Sequence, residues 1–116
     1  MAKSLFLVAS LLVLLAAAVS GARREALAGG YEAIKNVNDP YIQSLGKFAV
    51  EEHNRKAKDD LKFEKVKSGL VQIVDGTNYS LQVQAIDGTV SRLYSAAVYK
   101  DLKGNLKLNQ FFAMTN

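Results

Sequence analysis

The spacing of apolar residues changes near residue 60, and this change limits what the chain can fold into. Before that point, one set of residues recurs at intervals of three and four: Ile42, Leu45, Ala49, His53 and Ala57. This spacing predicts an amphipathic helix over residues 40–58. Asp39 and Pro40 suit its N-cap and its first helical position. After residue 60, apolar and polar residues alternate, which is typical of β-strands.

Four segments in the second half of the chain predict strands: residues 61–74, 80–86, 89–99 and 106–112. Asp87 and Gly88 form a two-residue hairpin signal between the second and third segments. One helix and one antiparallel meander can bury their apolar faces only against each other. The sequence therefore predicts a two-layer α+β domain.

The first 22 residues have the pattern of a secretory signal peptide. Lys3 precedes an apolar run over residues 5–19, and three small residues follow at 20–22. This run is short for a membrane-spanning helix, which needs about 20 apolar residues. We expect a cleaved signal peptide over residues 1–22, a single domain over residues 23–116, and a secreted product not attached to the membrane. An uncleaved anchor is the alternative, since residues 4–22 are uncharged.

Charge and cysteine content restrict the class of domain further. The chain has no cysteine, so one hydrophobic core must stabilise it without disulfides. Its formal net charge is +4, and removing Lys3 with the signal peptide lowers it to +3. The basic residues are not gathered into one stripe, so no nucleic-acid partner is expected. Asn78, Tyr79 and Ser80 form a possible N-glycosylation site on Asn78, whose use depends on burial.

Catalytic chemistry has little support in this sequence. His53 is the only histidine, and its position on the apolar helix face favours a packed, hydrogen-bonded imidazole. With no cysteine and one histidine, the usual zinc ligand sets are absent, and no metal or cofactor is expected. The neighbouring acids Glu51 and Glu52 point in different directions on the helix, as solvated charges do. We therefore expect a surface that binds a partner, not an enzyme.

Two motifs resemble those of a known family. The segment LGKFAVEEHN, residues 45–54, resembles the helix signature of the plant cystatins at all ten positions. QIVDG, residues 72–76, fits their pattern Gln-x-Val-x-Gly, and Gly29 and Gly30 stand where these proteins carry an N-terminal glycine. The resemblance implies a four- to five-stranded antiparallel sheet wrapped around one long helix. It also implies a reversible, tight-binding inhibitor of papain-like cysteine proteases.

In this family, a glycine-containing arm and two hairpin loops together enter the protease cleft. The first loop corresponds to residues 72–76, and the second carries a Pro-Trp pair that falls here on Leu102 and Lys103. The chain has no tryptophan, so the indole contact of the second loop is absent. The resemblance implies these protease-binding residues: Gly29, Gly30, Gln72, Ile73, Val74, Asp75, Gly76, Leu102 and Lys103.

Two further alternatives stay open at this point. The missing Pro-Trp pair leaves room for a cystatin-fold binding or storage protein with weak or lost inhibition. We expect a monomer, and a domain-swapped dimer is the alternative, because the strand connected through the first hairpin can exchange.

Overall fold

The computed structural model describes residues 30–114, which form one helix and five strands. In chain order these are β1 (Glu32–Ala33), α1 (Pro40–Ala57), β2 (Lys62–Ile73), β3 (Thr77–Asp87), β4 (Val90–Lys100) and β5 (Leu106–Ala113). Residues 33–114 belong to one compact unit. The predicted signal peptide and Gly29 lie outside the described residues. Within residues 30–114, no helix is both long and apolar enough to cross a membrane.

Helix α1 begins where the sequence predicts. The Asp39 side chain accepts a hydrogen bond of 2.8 Å from the Tyr41 backbone N–H, and Pro40 occupies the first helical position. The helix ends at Ala57, one residue earlier than predicted, because Lys58 takes a left-handed conformation with φ 56°. The Lys58 N–H still donates to the Asn54 carbonyl, which closes the last turn.

One face of α1 is buried against the sheet: Ile42, Leu45, Gly46, Ala49 and Val50. His53 continues this face and is half-buried. Ala57, predicted on the same face, is exposed instead. It is the last residue of the helix and lies beyond the part that the sheet covers, so periodicity alone places it wrongly.

The strands form one sheet in the order β1-β2-β3-β4-β5. The pairs β2–β3, β3–β4 and β4–β5 are antiparallel. The hairpin predicted at Asp87 and Gly88 is shifted by one residue, because Asp87 pairs with Val90 and the turn residues are Gly88 and Thr89. Only Gly88 of these two has a positive φ, 70°, as in turns that require glycine at the first central position.

The hydrophobic core lies between α1 and the sheet, as the two-layer α+β prediction requires. Its largest fully buried side chains are Leu45, Leu81, Val50, Val66, Val83 and Val98. Along β3, the alternate residues Leu81, Val83 and Ala85 are buried. The residues between them face away from the helix, because side chains alternate across a strand. The sheet therefore has a helix-covered inner face and an open outer face.

Gly46 lets the helix approach β2 closely. A Cβ atom at this position would lie 2.4 Å from Val66 Cγ2 and 2.9 Å from Phe63 Cε1. Such contacts are too short for real carbon atoms, so any side chain would push α1 away from β2. The small residue in the helix signature therefore has a packing role.

Two side-chain amides fasten α1 to β2. Gln43 Oε1 accepts from the Val66 N–H at 2.9 Å, beside a register shift between Val66 and Ser68. At the other end of the helix, Asn54 Oδ1 accepts from the Leu61 N–H at 3.0 Å, and Asn54 Nδ2 donates to the Leu61 carbonyl at 2.8 Å. These bonds satisfy backbone groups that the sheet leaves unpaired and fix β2 relative to the helix.

Candidate docking edge

Two hairpin turns lie side by side at one end of the sheet. Residues 74–76 join β2 to β3, and residues 101–105 join β4 to β5. Because β3 and β4 are antiparallel and Thr77 pairs with Lys100, both turns fall at the same end. The turn at Gly88 and Thr89 falls at the opposite end. We call residues 73–76 together with residues 100–105 the docking edge.

The first loop presents apolar side chains to solvent. Ile73 is 79% exposed and Val74 is 54% exposed, although both are β-branched hydrocarbons. The Val74 N–H donates to the Gly76 carbonyl at 3.0 Å, which closes the turn. The first loop is therefore a closed turn with two neighbouring apolar side chains in contact with solvent.

Tyr99, a residue of β4 and not of the loop itself, fixes the backbone of the first loop. Its hydroxyl donates a hydrogen bond to the backbone carbonyl of Asp75, a non-glycine residue with φ 48°. Gly76 follows with φ 111°. A Cβ on Gly76 would lie 2.7 Å from the Tyr99 hydroxyl oxygen and 2.6 Å from the Lys100 carbonyl oxygen. Only glycine fits at position 76, because of its φ and because of the space that β4 leaves.

Gln72 and Asn78 form a pair behind the first loop. They are register partners on β2 and β3, and Asn78 Nδ2 donates to Gln72 Oε1 at 3.4 Å. Gln72 therefore lies at the base of the docking edge, while Ile73 and the turn form its tip.

The second loop is organised by its own aspartate. The Asp101 carboxylate accepts from the Lys103 N–H at 2.9 Å and from the Asn105 N–H at 2.8 Å. These bonds hold the pKa of Asp101 below its usual value, the bond from Asn105 having the largest effect. The Gly104 N–H donates to the Asp101 carbonyl at 3.0 Å, so residues 101–104 form a tight turn.

Leu102 and Lys103 occupy the tip of the second loop. Leu102 is 82% exposed, and Lys103 is also exposed. Their backbone is set by Asp101 and Gly104, so their own side chains do not hold the turn. The tip of the second loop therefore exposes one apolar side chain and one positive charge.

An aromatic cluster lies behind the docking edge on the helix side. Lys100 Nζ lies 4.8 Å from the centre of the Tyr41 ring, a cation–π distance. A hydrogen bond to Tyr41 raises the pKa of Lys100. Burial raises the pKa of Tyr79, which belongs to the same cluster. Lys100 therefore keeps its positive charge, and this charge lies beside the base of both loops.

His53 is packed as the sequence predicts. Its ring stacks on Phe111 with centroids 4.3 Å apart, and Nε2 lies 3.0 Å from Asp59 Oδ2. This hydrogen bond is the largest cause of the lowered pKa of Asp59. Within residues 30–114, no group of three or more His, Cys, Asp or Glu side chains could hold a metal ion.

The structure brings most of the predicted site residues together. Ile73, Val74, Asp75 and Gly76 stand beside Leu102 and Lys103 at one end of the sheet. Gly29 lies outside the described residues. Gly30 has φ 78°, a conformation that favours glycine.

Sequence reasoning missed two residues that shape the docking edge. Asp101 has a signal in the sequence, since aspartate at the first position and glycine at the fourth are typical of a type I turn. Tyr99 has no such signal, because its hydrogen bond joins two segments that are 24 residues apart.

Comparisons with known proteins show which family the chain resembles. A family model described as "Aspartic acid proteinase inhibitor" matches residues 34–114. "Cysteine proteinase inhibitor 1" of Actinidia chinensis var. chinensis is 44% identical over 81 residues, which cover 70% of each chain. "Cysteine proteinase inhibitor 5" of Arabidopsis thaliana is 46% identical over 96 residues, 82% of this chain and 76% of the relative. "Cystatin-1" of Zea mays is 45% identical over 118 residues, 91% of this chain and 87% of the relative.

Two of the three relatives and the matching family model are named as proteinase inhibitors, and the third relative is named as a cystatin. This agreement confirms the expectation that the chain is not an enzyme. The helix signature, the first loop, the α+β fold and these identities lead to one conclusion: the chain belongs to the plant cystatin family of proteinase inhibitors.

Proposed function

We propose that this chain reversibly inhibits papain-like cysteine proteases by placing its docking edge in the active-site cleft. The observation that carries this proposal is the pair of adjacent hairpin loops with Ile73, Val74 and Leu102 exposed. A narrow apolar edge of this kind suits a narrow cleft, because its side chains lose contact with water on docking. Two of the three relatives are named as cysteine proteinase inhibitors, which supports cysteine proteases as the target class.

The first loop is suited to bind tightly because it is ordered before it meets a partner. The closed turn between Val74 and Gly76 and the hydrogen bond from Tyr99 fix its backbone. Ile73 and Val74 have stiff side chains, so little conformational entropy is lost on docking.

The same geometry supports resistance to cleavage. A protease of this class cuts a peptide that lies extended across its nucleophile. Residues 75 and 76 both have positive φ and belong to a closed turn, so the loop cannot take that extended form without unfolding. We infer that it covers the catalytic residues without offering a bond to cut.

The arm that contains Gly29 and Gly30 supplies the third contact in this proposal. Two adjacent glycines allow the backbone to lie close to a partner in a groove. Removing residues 23–30 is then expected to weaken inhibition without changing the melting temperature, which calorimetry would check.

A second candidate function follows from the second loop. Leu102 and Lys103 stand where the family carries Pro-Trp, which favours a binding or storage protein with weak or lost inhibition. The description of the matching family model adds aspartic proteases as a target class to be tested.

A titration of active papain distinguishes these functions. Residues 23–116, produced in a bacterial host, are added to papain whose active sites have been counted. The proposal expects stoichiometric inhibition, which Gly76→Leu abolishes. Gly88→Asn is the matched control, because it changes a positive-φ glycine at the opposite end of the sheet and is expected to keep inhibition.

Other outcomes of this titration select other functions. If the unmodified domain leaves papain fully active at every ratio of the two proteins, the result favours a binding or storage protein with weak or lost inhibition. Inhibition of pepsin but not papain would assign the chain to aspartic proteases. Gel filtration of the same sample tests the expected monomer against a strand-exchanged dimer.

We also propose that the chain is secreted after cleavage of the signal peptide following Gly21 or Ala22. The support is the apolar run and the small residues that follow it. Expression of the full chain in a eukaryotic host, with mass spectrometry of the medium, tests this proposal. Full-length chain kept in the membrane fraction would contradict it.

A further inference from the structure

The sequon at Asn78 lies on the outer face of the sheet. Leu81, Val83 and Ala85 of β3 are buried against the helix. Alternation along the strand therefore places Asn78 and Ser80 on the opposite face. Asn78 is half-buried, and its Nδ2 atom donates to Gln72 Oε1 at 3.4 Å. This bond is longer than is usual for an N–H donor, so losing it costs little.

The same asparagine stands next to the docking edge. Asn78 follows Gly76 by two residues, about 7 Å along the strand. Its partners on the neighbouring strands are Gln72 and Tyr99. Tyr99 is the residue that holds the Asp75 carbonyl. A group attached to Asn78 Nδ2 would cover this flank of the first loop.

We propose that Asn78 is an N-glycosylation site whose occupancy prevents the docking edge from entering a protease cleft. This inference rests on the proposed function and on secretion. The donor is a lipid-linked pyrophosphoryl oligosaccharide. Asn78 Nδ2 forms a bond to the anomeric carbon of the sugar and loses one proton. The bond from that carbon to the pyrophosphate oxygen breaks, and the lipid pyrophosphate leaves with the electron pair.

The glycan would act on docking and not on folding. It is bulky and strongly hydrated, and it projects from the face of the sheet opposite α1. A cleft that closes around both loops must displace it or fail to bind. The fold keeps its core, because no buried residue changes.

Secretion of the full chain from insect cells tests this proposal. Three chains are compared: the unmodified chain, Ser80→Ala, and Asn78→Gln. Ser80→Ala is the sharper control, since it destroys the sequon and leaves Asn78 in place. Intact mass and peptide mapping measure occupancy at Asn78, and titration of papain measures inhibition. Enzymatic removal of the glycan from the unmodified chain provides a fourth sample.

The expected result is a glycan on Asn78 of the unmodified chain and inhibition at least about 100-fold weaker than that of Ser80→Ala. Deglycosylation should restore most of the difference. An unmodified Asn78 in the medium, or no secreted product, overturns the proposal. A glycosylated chain that inhibits as tightly as Ser80→Ala overturns its regulatory part. If Ser80→Ala itself fails to inhibit papain, the proposed function is wrong and the regulatory part fails with it, while the mass still decides whether Asn78 is modified.

Discussion

The two loops of the docking edge are ordered in different ways. The first depends on a distant residue, because Tyr99 of β4 holds the Asp75 carbonyl and limits the space at Gly76. The second is ordered locally, because Asp101 binds the backbone of residues two and four positions later. A loop held by a side chain within it, as Asp101 holds the second loop, can change the residues at its tip without losing its shape. Variation in target preference is therefore expected at Leu102 and Lys103 more than at residues 74–76.

The largest expected effect comes from Gly76→Ala. The added Cβ meets the Lys100 carbonyl and the Tyr99 ring, and alanine disfavours the φ of 111°. We expect inhibition of papain to weaken about 100-fold, equal to about 3 kcal/mol. Gly88→Ala is the matched control, because it adds the same atom at φ 70° with nothing within 4 Å, at the opposite end of the sheet. An equal loss of inhibition in both variants would mean that the unfavourable φ, and not the contact with β4, causes the loss.

Lys103→Trp is expected to have the next largest effect, in the opposite direction. An indole at the tip of an already ordered loop adds an aromatic anchor, so papain inhibition should tighten about tenfold. Thr89→Trp places the same side chain at the other end of the sheet and should change nothing. If the inhibition constant of Lys103→Trp does not improve, the alignment of the second loop with the family is wrong.

Tyr99→Phe is expected to weaken inhibition by about fivefold, the effect of one lost hydrogen bond of about 1 kcal/mol. The measurement is the dissociation rate of the papain complex, with the melting temperature recorded beside it. Tyr79→Phe is the control, since alternation with the buried Leu81 places that tyrosine on the helix side of β3. A complex of Tyr99→Phe that dissociates as slowly as the unmodified one would show that β4 does not hold the first loop.

The smallest effect is expected from protonation of Asp101, and this effect appears only at acidic pH. The folded chain lowers the pKa of this carboxyl below the ordinary value of 3.8. Its contribution to stability is therefore present above pH 3.8 and is lost as the pH falls through the lower, folded value. Amide shifts of Lys103 and Asn105, followed by NMR, should move below pH 3.8 in the unmodified chain but not in Asp101→Asn. Identical titrations of the two chains would contradict this.

The parts of the fold that depend on local patterns are predictable from the sequence. The N-cap at Asp39, the buried spacing of Ile42, Leu45 and Ala49, and the alternation of β3 all follow from neighbours in the chain. The turn between β3 and β4 was misplaced by one residue, because glycine at either central position suits a two-residue hairpin. In the structure, Gly88 occupies the first central position of the turn.

The candidate site is less predictable because its geometry depends on contacts between strands. The resemblance identifies residues 72–76, but nothing in that segment shows that Tyr99 fills the space beside Gly76. Gly46 is a similar case, since its need for a small residue comes from Val66 and Phe63 on β2. Asp101 could have been identified from the sequence, because Gly104 follows it by three residues, as in a type I turn.

The turn at Gly88 and Thr89 is a suitable position for attaching other groups to the molecule. A Cβ at Gly88 would have nothing within 4 Å, so this turn has room for added groups. It is separated from the docking edge by the 11 residues of β3, about 35 Å of extended chain. A fluorophore, a surface linker or a second domain inserted here would leave both loops accessible, so the chain offers a scaffold for capture reagents and for two-headed inhibitors.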